Sequence, residues 1–183
     1  MKYEMTIAGL KRQLPVCKLS DDLAIGAFVM FGDVELTIAC AAALLKKAPE
    51  FDYLVAPEAK AIPLIYEMAR QKGLDDYLLV RKNKKAYMSG VFEVDVTSIT
   101  TAGRQKLYMD AVDAAKMNGK RIIIIDDVIS TGASLEAVEK LVKEAGGNVV
   151  ARMAVLAEGD AAKRDDIIYL EELPLFNADG TVK

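Results

Sequence analysis

Two acidic residues, Asp126 and Asp127, stand directly after four isoleucines at 122–125. A short apolar run of this kind predicts a buried strand over residues 121–125, so both carboxylates are expected at its carboxyl end. The residues that follow are small and rich in hydroxyl groups, namely Ser130, Thr131, Gly132, Ala133 and Ser134. Glycine lets the backbone approach a ligand closely, and the helix predicted from residue 134 directs a partial positive charge at the same place. This turn is therefore predicted to bind a phosphate.

Two carboxylates beside a phosphate site suit a ligand that also carries hydroxyl groups or a metal. A ribose 5-phosphate meets this condition, because Asp126 and Asp127 can accept hydrogen bonds from its 2- and 3-hydroxyl groups. The simpler alternative is an ordinary turn between a strand and a helix, in which an aspartate caps the helix. Two other common phosphate loops, GxxxxGK[ST] and GxGxxG after a strand, do not occur in the sequence.

The elements that must position this turn alternate between strand and helix. Apolar spacing predicts helices over 35–47, 61–72 and 134–145, and buried strands over 53–56, 77–80, 121–125, 148–156 and 167–170. Such alternation predicts an α/β fold with a mainly parallel sheet flanked by helices, and ligands at the carboxyl ends of the strands. Residues 1–35 are expected to be irregular and strand-rich. Residues 82–105 are expected to form a long loop, with room for a short hairpin near 91–96.

Composition excludes several classes of function. The chain of 183 residues suits one domain, and its net charge of -3 argues against general nucleic-acid binding. Without histidine, a Ser–His or Cys–His nucleophile pair cannot form within one chain, and a zinc site is not expected. Cys17 and Cys40 are isolated and are expected to be buried thiols of a cytoplasmic protein. No apolar run is long enough to span a bilayer or to form a signal peptide.

Residues 122–134 resemble the phosphoribosyl-pyrophosphate motif of type I phosphoribosyltransferases. Ala133 is a departure, because members often have a second glycine at that position. The resemblance implies transfer of phosphoribosyl from phosphoribosyl pyrophosphate to a purine base, which gives a nucleoside monophosphate and pyrophosphate in purine salvage. Asp126 and Asp127 would then be the catalytic acids, and residues 130–134 would bind the 5-phosphate.

Two further segments resemble pyrophosphate-binding parts of the same family. Residues 56–61 resemble its pyrophosphate loop, which implies that Glu58, Ala59 and Lys60 face pyrophosphate. The basic run 81–85 resembles the segment before the mobile lid in the adenine phosphoribosyltransferase branch, and it assigns Arg81, Lys82 and Lys85 to pyrophosphate. The alternatives are a surface lysine near a helix start and a solvated charged loop.

A phenylalanine near the N-terminus is the candidate for base binding. Residues 31–34, Phe-Gly-Asp-Val, resemble a Phe-Arg-Asp-Ile stretch of the adenine branch, in which the phenylalanine stacks on the purine. Phe31 is therefore the first candidate, and Phe28 is the second. A core position is the alternative for both.

The resemblance also implies an organisation and partners. It indicates one domain over 1–183, with a small hood at 1–35 and a mobile lid at 83–105. It implies Mg²⁺ bound through the substrate rather than in a protein cage, and a homodimer. Adenine is the first candidate base. The alternatives are hypoxanthine, guanine or xanthine, an orotate-type enzyme, and a regulator that binds phosphoribosyl pyrophosphate without chemistry.

Overall fold

The computed structural model describes residues 1–97 and 104–183, which form eleven strands, four α-helices and one 3₁₀ helix. The strands are β1 (Lys2–Ile7), β2 (Leu10–Lys18), β3 (Ala24–Gly26), β4 (Tyr53–Pro57), β5 (Leu78–Val80), β6 (Val91–Thr97), β7 (Arg104–Asp110), β8 (Arg121–Ile129), β9 (Asn148–Glu158), β10 (Ile168–Leu173) and β11 (Leu175–Phe176). The α-helices are α1 (Val34–Lys47), α2 (Ile62–Lys72), α3 (Ala111–Lys116) and α4 (Ala133–Glu144), and the 3₁₀ helix is Gly159–Lys163.

A five-stranded sheet in the order β10-β9-β8-β4-β5 forms the centre of the fold, and all its neighbouring pairs are parallel. The four isoleucines of β8 are fully buried and alternate between two cores. Ile123 and Ile125 pack on the side of α1 and α2, whereas Ile122 and Ile124 pack on the side of α4. A strand covered on both faces is typical of parallel sheets with helices on each side. The α/β fold class is therefore confirmed.

Helices α1 and α2 carry the local signals expected at helix ends, whereas α3 is not predicted from the sequence. Asp33 caps α1 by accepting a hydrogen bond from the backbone N of Leu36, at 3.1 Å. Pro63 occupies the first turn of α2, and Gly73 ends this helix in the left-handed conformation, with φ of 74°. None of the helices in the described ranges is long and apolar enough to cross a membrane.

The central strand is longer than the sequence predicts. β8 continues past Ile125 to Ile129, so Asp126 and Asp127 lie within the strand rather than after it. The reason is that β9 keeps pairing with this backbone as far as Ile129, whatever side chains it carries. The turn consequently begins only at residue 130.

The N-terminal region is a sheet in the order β1-β2-β3-β11. Its fourth strand comes from the other end of the chain, because Leu175 and Phe176 pair with β3. β2 alternates between outward and inward side chains, and Cys17 lies on its outward face. The expectation that both cysteines are buried is therefore wrong for Cys17 and confirmed for Cys40.

The segment expected to be a long loop contains a two-stranded antiparallel ribbon, β6 with β7. Val94 and Met109 of this ribbon are buried in the core beside α4, and Lys140 of α4 donates a hydrogen bond to the carbonyl O of Asp95 at 2.7 Å. The base of the ribbon is thus fixed to the domain. Residues 98–103 of the expected lid lie outside the described residues.

Candidate functional site

The predicted binding segments meet at one edge of the central sheet. β8, β4 and β5 are neighbours and parallel, so their carboxyl ends lie side by side. Residues 58–60 follow β4, the basic run 81–85 follows β5, and the turn 130–134 follows β8. This is the edge at which parallel α/β sheets bind ligands.

The acidic pair lies at the centre of this edge. Asp127 is only 2% exposed, and its Oδ2 lies 2.9 Å from Nζ of Lys60. The lysine is not aligned to donate, so this Oδ2 accepts no hydrogen bond within the described ranges. Asp126 accepts a hydrogen bond at its Oδ1 from the backbone N of Asp127, at 2.9 Å. A buried carboxylate oxygen without a donor costs free energy, and a ligand hydroxyl group is a donor that can satisfy it.

The surroundings of Asp126 perturb its titration. The pKa of Asp126 is raised well above its ordinary value of 3.8, first because burial disfavours the charged form and second because Asp127 carries a like charge. The amide of Asp127 and the Lys60 ammonium oppose this rise. Carboxylates perturbed by burial and by a like charge are typical of functional sites.

Glu58 joins the loop after β4 to the basic run after β5. Its Oε1 lies 3.3 Å from Nη1 of Arg81 and 3.4 Å from Nζ of Lys85. Arg81 is fixed through its backbone, which exchanges hydrogen bonds of 2.7 and 2.8 Å with Tyr108 of β7. The peptide bond between Glu58 and Ala59 is cis. Three cations at this edge therefore form imperfect ion pairs. The pairs of Arg81 and Lys85 with Glu58 are long, and Lys60 is close to Asp127 but misaligned.

The turn after β8 has the features of an anion site. Gly132 has φ of 85° and stands at the N-cap of α4, with no side chain to occupy the first amides of the helix. Ser130, Thr131 and Ser134 are exposed, and Oγ1 of Thr131 accepts only a long hydrogen bond, 3.5 Å, from the backbone N of Ala133. Free amides at a helix N-terminus, together with the hydroxyl groups, are suitable donors for a phosphate.

The other predicted binding residues differ in how exposed they are. Phe28 is 4% exposed and packs in the core, which is the alternative to base binding for this residue. Phe31 is 53% exposed in the turn before α1, so its ring is accessible to a ligand. Lys82 and Ala59 are exposed beside the charged residues at the strand ends.

One side chain at this edge has no counterpart in the sequence predictions. Arg164 follows the 3₁₀ helix after β9, and its Nη1 lies 2.5 Å from the position that a Cβ on Gly132 would occupy. It belongs to no recognisable motif, because its approach to Gly132 depends on how the chain returns after β9. The described residues include no group of three or more acids or cysteines that could hold a metal ion.

The sequence is similar to a known protein family and to known enzymes. The model of a family described as the phosphoribosyl transferase domain matches residues 35–178. The adenine phosphoribosyltransferase of Thermotoga petrophila is 38% identical over 109 residues, which are 60% of this chain and 60% of that protein. The hypoxanthine/guanine phosphoribosyltransferase of Methanocella paludicola is 32% identical over 127 residues, which are 69% of this chain and 61% of that protein.

The structural match to a solved relative covers more of the chain than the sequence matches do. The crystal structure of the Giardia lamblia enzyme named APRTase, complexed with 9-deazaadenine, matches with a TM-score of 0.64 and 14% identity, covering 94% of this chain and 93% of that one. The sequence match, by contrast, spans about three-fifths of the length of the curated relatives.

Proposed function

Because the chain belongs to the phosphoribosyltransferase family, we propose that it transfers a phosphoribosyl group from phosphoribosyl pyrophosphate to a purine base, most readily adenine. The products are a nucleoside monophosphate and pyrophosphate, which is a purine salvage reaction. The family match supports the reaction type, and the 38% identity with an adenine phosphoribosyltransferase supports the base.

The observation that carries this proposal is the burial of the Asp127 carboxylate without a full set of hydrogen-bond donors. Its carboxylate is buried beside a second acid, and its Oδ2 lacks a hydrogen-bond donor in the described part of the chain. The phosphate-binding turn begins three residues later, at Ser130. A ribose 5-phosphate supplies what each part needs, namely hydroxyl donors for the acids and an anion for the turn.

The reaction exchanges one bond for another at C1 of the ribose. A nitrogen of the base bonds to C1, the bond from C1 to the pyrophosphate oxygen breaks, and pyrophosphate leaves with the electron pair. The base nitrogen loses its proton to pyrophosphate or water. Positive charge develops on the ribose in the transition state, and Asp126 and Asp127 favour it electrostatically.

The cations at the edge are proposed to hold the leaving group. Lys60 pairs with Asp127, and Arg81 and Lys85 pair with Glu58, all without close, aligned hydrogen bonds. Pyrophosphate carries more charge than one carboxylate, so it competes with Glu58 for Arg81 and Lys85. The exposed Lys82 adds a further positive charge nearby.

Mg²⁺ fits this site as an ion carried by the substrate. The available oxygen ligands are the carboxylates of Asp126 and Asp127, which suit a hard cation that keeps several waters and binds phosphates. When bound, Mg²⁺ would neutralise part of the pyrophosphate charge. The protein residues themselves orient the ribose and the phosphate.

Base selection is proposed to involve Phe31, whose exposed ring offers a stacking surface. The second candidate base is hypoxanthine or guanine, which the 32% identity with an enzyme for those bases favours. A hood at 1–35, a lid at 83–105, a homodimer and a cytoplasmic location remain predictions from the family resemblance.

The test is a panel of bases incubated with phosphoribosyl pyrophosphate and Mg²⁺, with release of pyrophosphate as the readout. We expect adenine to give the highest kcat/KM, and Asp127→Asn to serve as the inactive control. Highest turnover with guanine or hypoxanthine would replace adenine as the substrate. Tight binding of phosphoribosyl pyrophosphate without turnover of any base would instead indicate a regulator.

A further inference from the structure

Arg164 lies directly against the turn that is proposed to bind the 5-phosphate. A Cβ built on Gly132 would be 2.5 Å from Nη1 of Arg164 and 3.7 Å from its Cζ. The guanidinium therefore covers the backbone of Gly132, which is buried although the residues before it, Ser130 and Thr131, are exposed. A side chain at this position would displace the guanidinium from the place that it occupies.

The guanidinium is held in a defined orientation by Asp166. Nε of Arg164 donates to Oδ1 at 2.8 Å, and Nη2 donates to Oδ2 at 2.8 Å, so one edge of the guanidinium is occupied by a bidentate pair. Nη1 lies at the opposite corner and donates no hydrogen bond to any residue in 1–97 or 104–183. It is the atom nearest to the turn. The planar fork thus presents unused N–H groups to Gly132.

Two positive charges meet at this point. Gly132 is the N-cap of α4, where the helix already carries a partial positive charge. The Arg164 guanidinium adds like charge, which Asp166, Glu136 and Glu139 offset in part. The hydrogen bonds to Asp166 raise the pKa of Arg164, so this side chain stays charged. A phosphate bound at the turn beside the guanidinium would be attracted by both positive charges.

We propose that Arg164 is a 5-phosphate-binding residue, whose Nη1 donates to the phosphate held at residues 130–134 and which makes the site select phosphorylated ribose. This inference rests on the proposed function. Asp166 acts through Arg164 as a positioning residue. The ligand class is a sugar or nucleoside that carries a phosphomonoester.

Arg152 provides a matched control. It also forms a bidentate pair with an acid, donating to Glu139 of α4 with two hydrogen bonds of 2.6 Å, and its side chain is 23% exposed compared with 29% for Arg164. Glu139 lies beyond the first turn of α4, so Arg152 makes its ion pair away from the N-cap at Gly132, although its charge also acts on Arg164 and Asp166. Loss of either arginine removes a comparable ion pair, but only one removes a donor at the turn.

The experiment measures affinity by calorimetry for ribose 5-phosphate, adenosine monophosphate and adenosine. Arg164→Gln is expected to weaken both phosphorylated ligands about 10- to 100-fold, as for loss of a charged hydrogen bond, and to leave adenosine unchanged. Arg152→Gln is expected to change none of the three. With turnover as a second readout, Arg164→Gln is expected to raise KM for phosphoribosyl pyrophosphate and not for the base.

Two outcomes separate this inference from the proposed function. If the wild type binds ribose 5-phosphate and Arg164→Gln binds it equally well, Arg164 is not a ligand and the proposed function stands. If the wild type binds no phosphoribosyl compound, the role of Arg164 and the proposed function are both wrong. Should Arg164→Gln not fold, Asp166→Asn replaces it, because it keeps the guanidinium but frees its orientation. A smaller loss of affinity confined to the phosphorylated ligands then supports the inference, and wild-type affinity overturns it.

Discussion

The two edges of the central sheet pair their charged side chains differently. At the amino edge, before β4 and β8, Asp52 accepts hydrogen bonds from the backbone N of Arg121 at 2.8 Å and from its Nη2 at 3.0 Å. These hydrogen bonds lower the pKa of Asp52 to about 2. Lys116 is similarly paired with both Asp113 and Asp76. Asp52 and Lys116 are thus each satisfied by partners of the chain itself.

At the carboxyl edge the charges are not satisfied in this way. Asp127 is buried with an oxygen that lacks a donor among the described residues, and the pKa of Asp126 is raised by burial and by Asp127. Glu58 is shared at 3.3 and 3.4 Å between two cations. Complete pairing stabilises a fold, whereas incomplete pairing leaves groups that a ligand can complete. The comparison therefore supports the proposal that the carboxyl edge binds the ligand, while the pairs at the amino edge stabilise the fold.

The largest expected effect comes from Asp127→Asn. The amide keeps the shape but removes the charge that favours the transition state, so kcat should fall about 100-fold or more, as when one preorganised electrostatic group is lost. Because the buried carboxylate lacks a hydrogen bond, its removal should leave Tm equal or higher. Steady-state rates and thermal melts of the same preparation check both expectations.

Near-wild-type turnover by Asp127→Asn would contradict the contrast between the edges. So would a large fall in Tm, because it would mean that the Asp127 carboxylate stabilises the fold. Asp52→Asn is the matched variant at the opposite edge.

The next effect concerns Gly132. Gly132→Val places a branched side chain at φ of 85°, which costs about 1–3 kcal/mol, and directs its Cβ at Arg164. Affinity for phosphoribosyl pyrophosphate and for nucleoside monophosphate should be lost together, since both carry the 5-phosphate, whereas affinity for a free base should change less. Calorimetry on the folded variant measures all three. Wild-type affinity for the monophosphate would show that the phosphate lies elsewhere.

A third, smaller effect is the dependence of stability on pH. The folded state raises the pKa of Asp126 above its ordinary value of 3.8, so between these two values the folded protein binds more protons than the unfolded chain. This contribution to the free energy of unfolding is therefore present at low pH and is lost as pH rises through the raised pKa. Urea unfolding from about pH 5 to about pH 8 should show a steeper decline for the wild type than for Asp126→Asn. Parallel curves would mean that Asp126 is not perturbed.

The smallest effect is expected from Asp52→Asn. It removes an exposed pair with Arg121, so Tm should fall slightly and kcat and KM should not change. A pyrophosphate-release assay at saturating substrates measures the rate. A loss of turnover comparable to that of Asp127→Asn would remove the distinction between the two edges.

The contrast between the edges also shows what the sequence could predict. The run 122–125 and the turn 130–134 combine a buried strand, acids and small hydroxyl residues within a short stretch, so local chemistry was enough to predict the strand and the helix on either side of the turn. The binding of a phosphate there stays a prediction. The parallel sheet then follows from the alternation of elements, and it brings residues 58–60 and 81–85 to the same edge.

Non-local contacts were not predictable in this way. β11 joins the N-terminal sheet from the far end of the chain, and Tyr108 of the ribbon pairs with Arg81. The ribbon strand β7 and helix α3 lack a strong apolar period, because only some of their residues face the core. Arg164 reaches Gly132 through a chain reversal after β9 that no sequence pattern marks.

The most direct test of the carboxyl edge as the binding site is a calorimetric titration of phosphoribosyl pyrophosphate, with Mg²⁺ present, into the wild type, Asp127→Asn and Asp52→Asn. We expect the wild type and Asp52→Asn to bind with the same affinity and Asp127→Asn to bind more weakly, because Oδ2 of Asp127 lacks a donor in the described part of the chain and a ribose hydroxyl group can supply one. Absence of binding by the wild type, or equal affinity for all three proteins, would contradict the assignment.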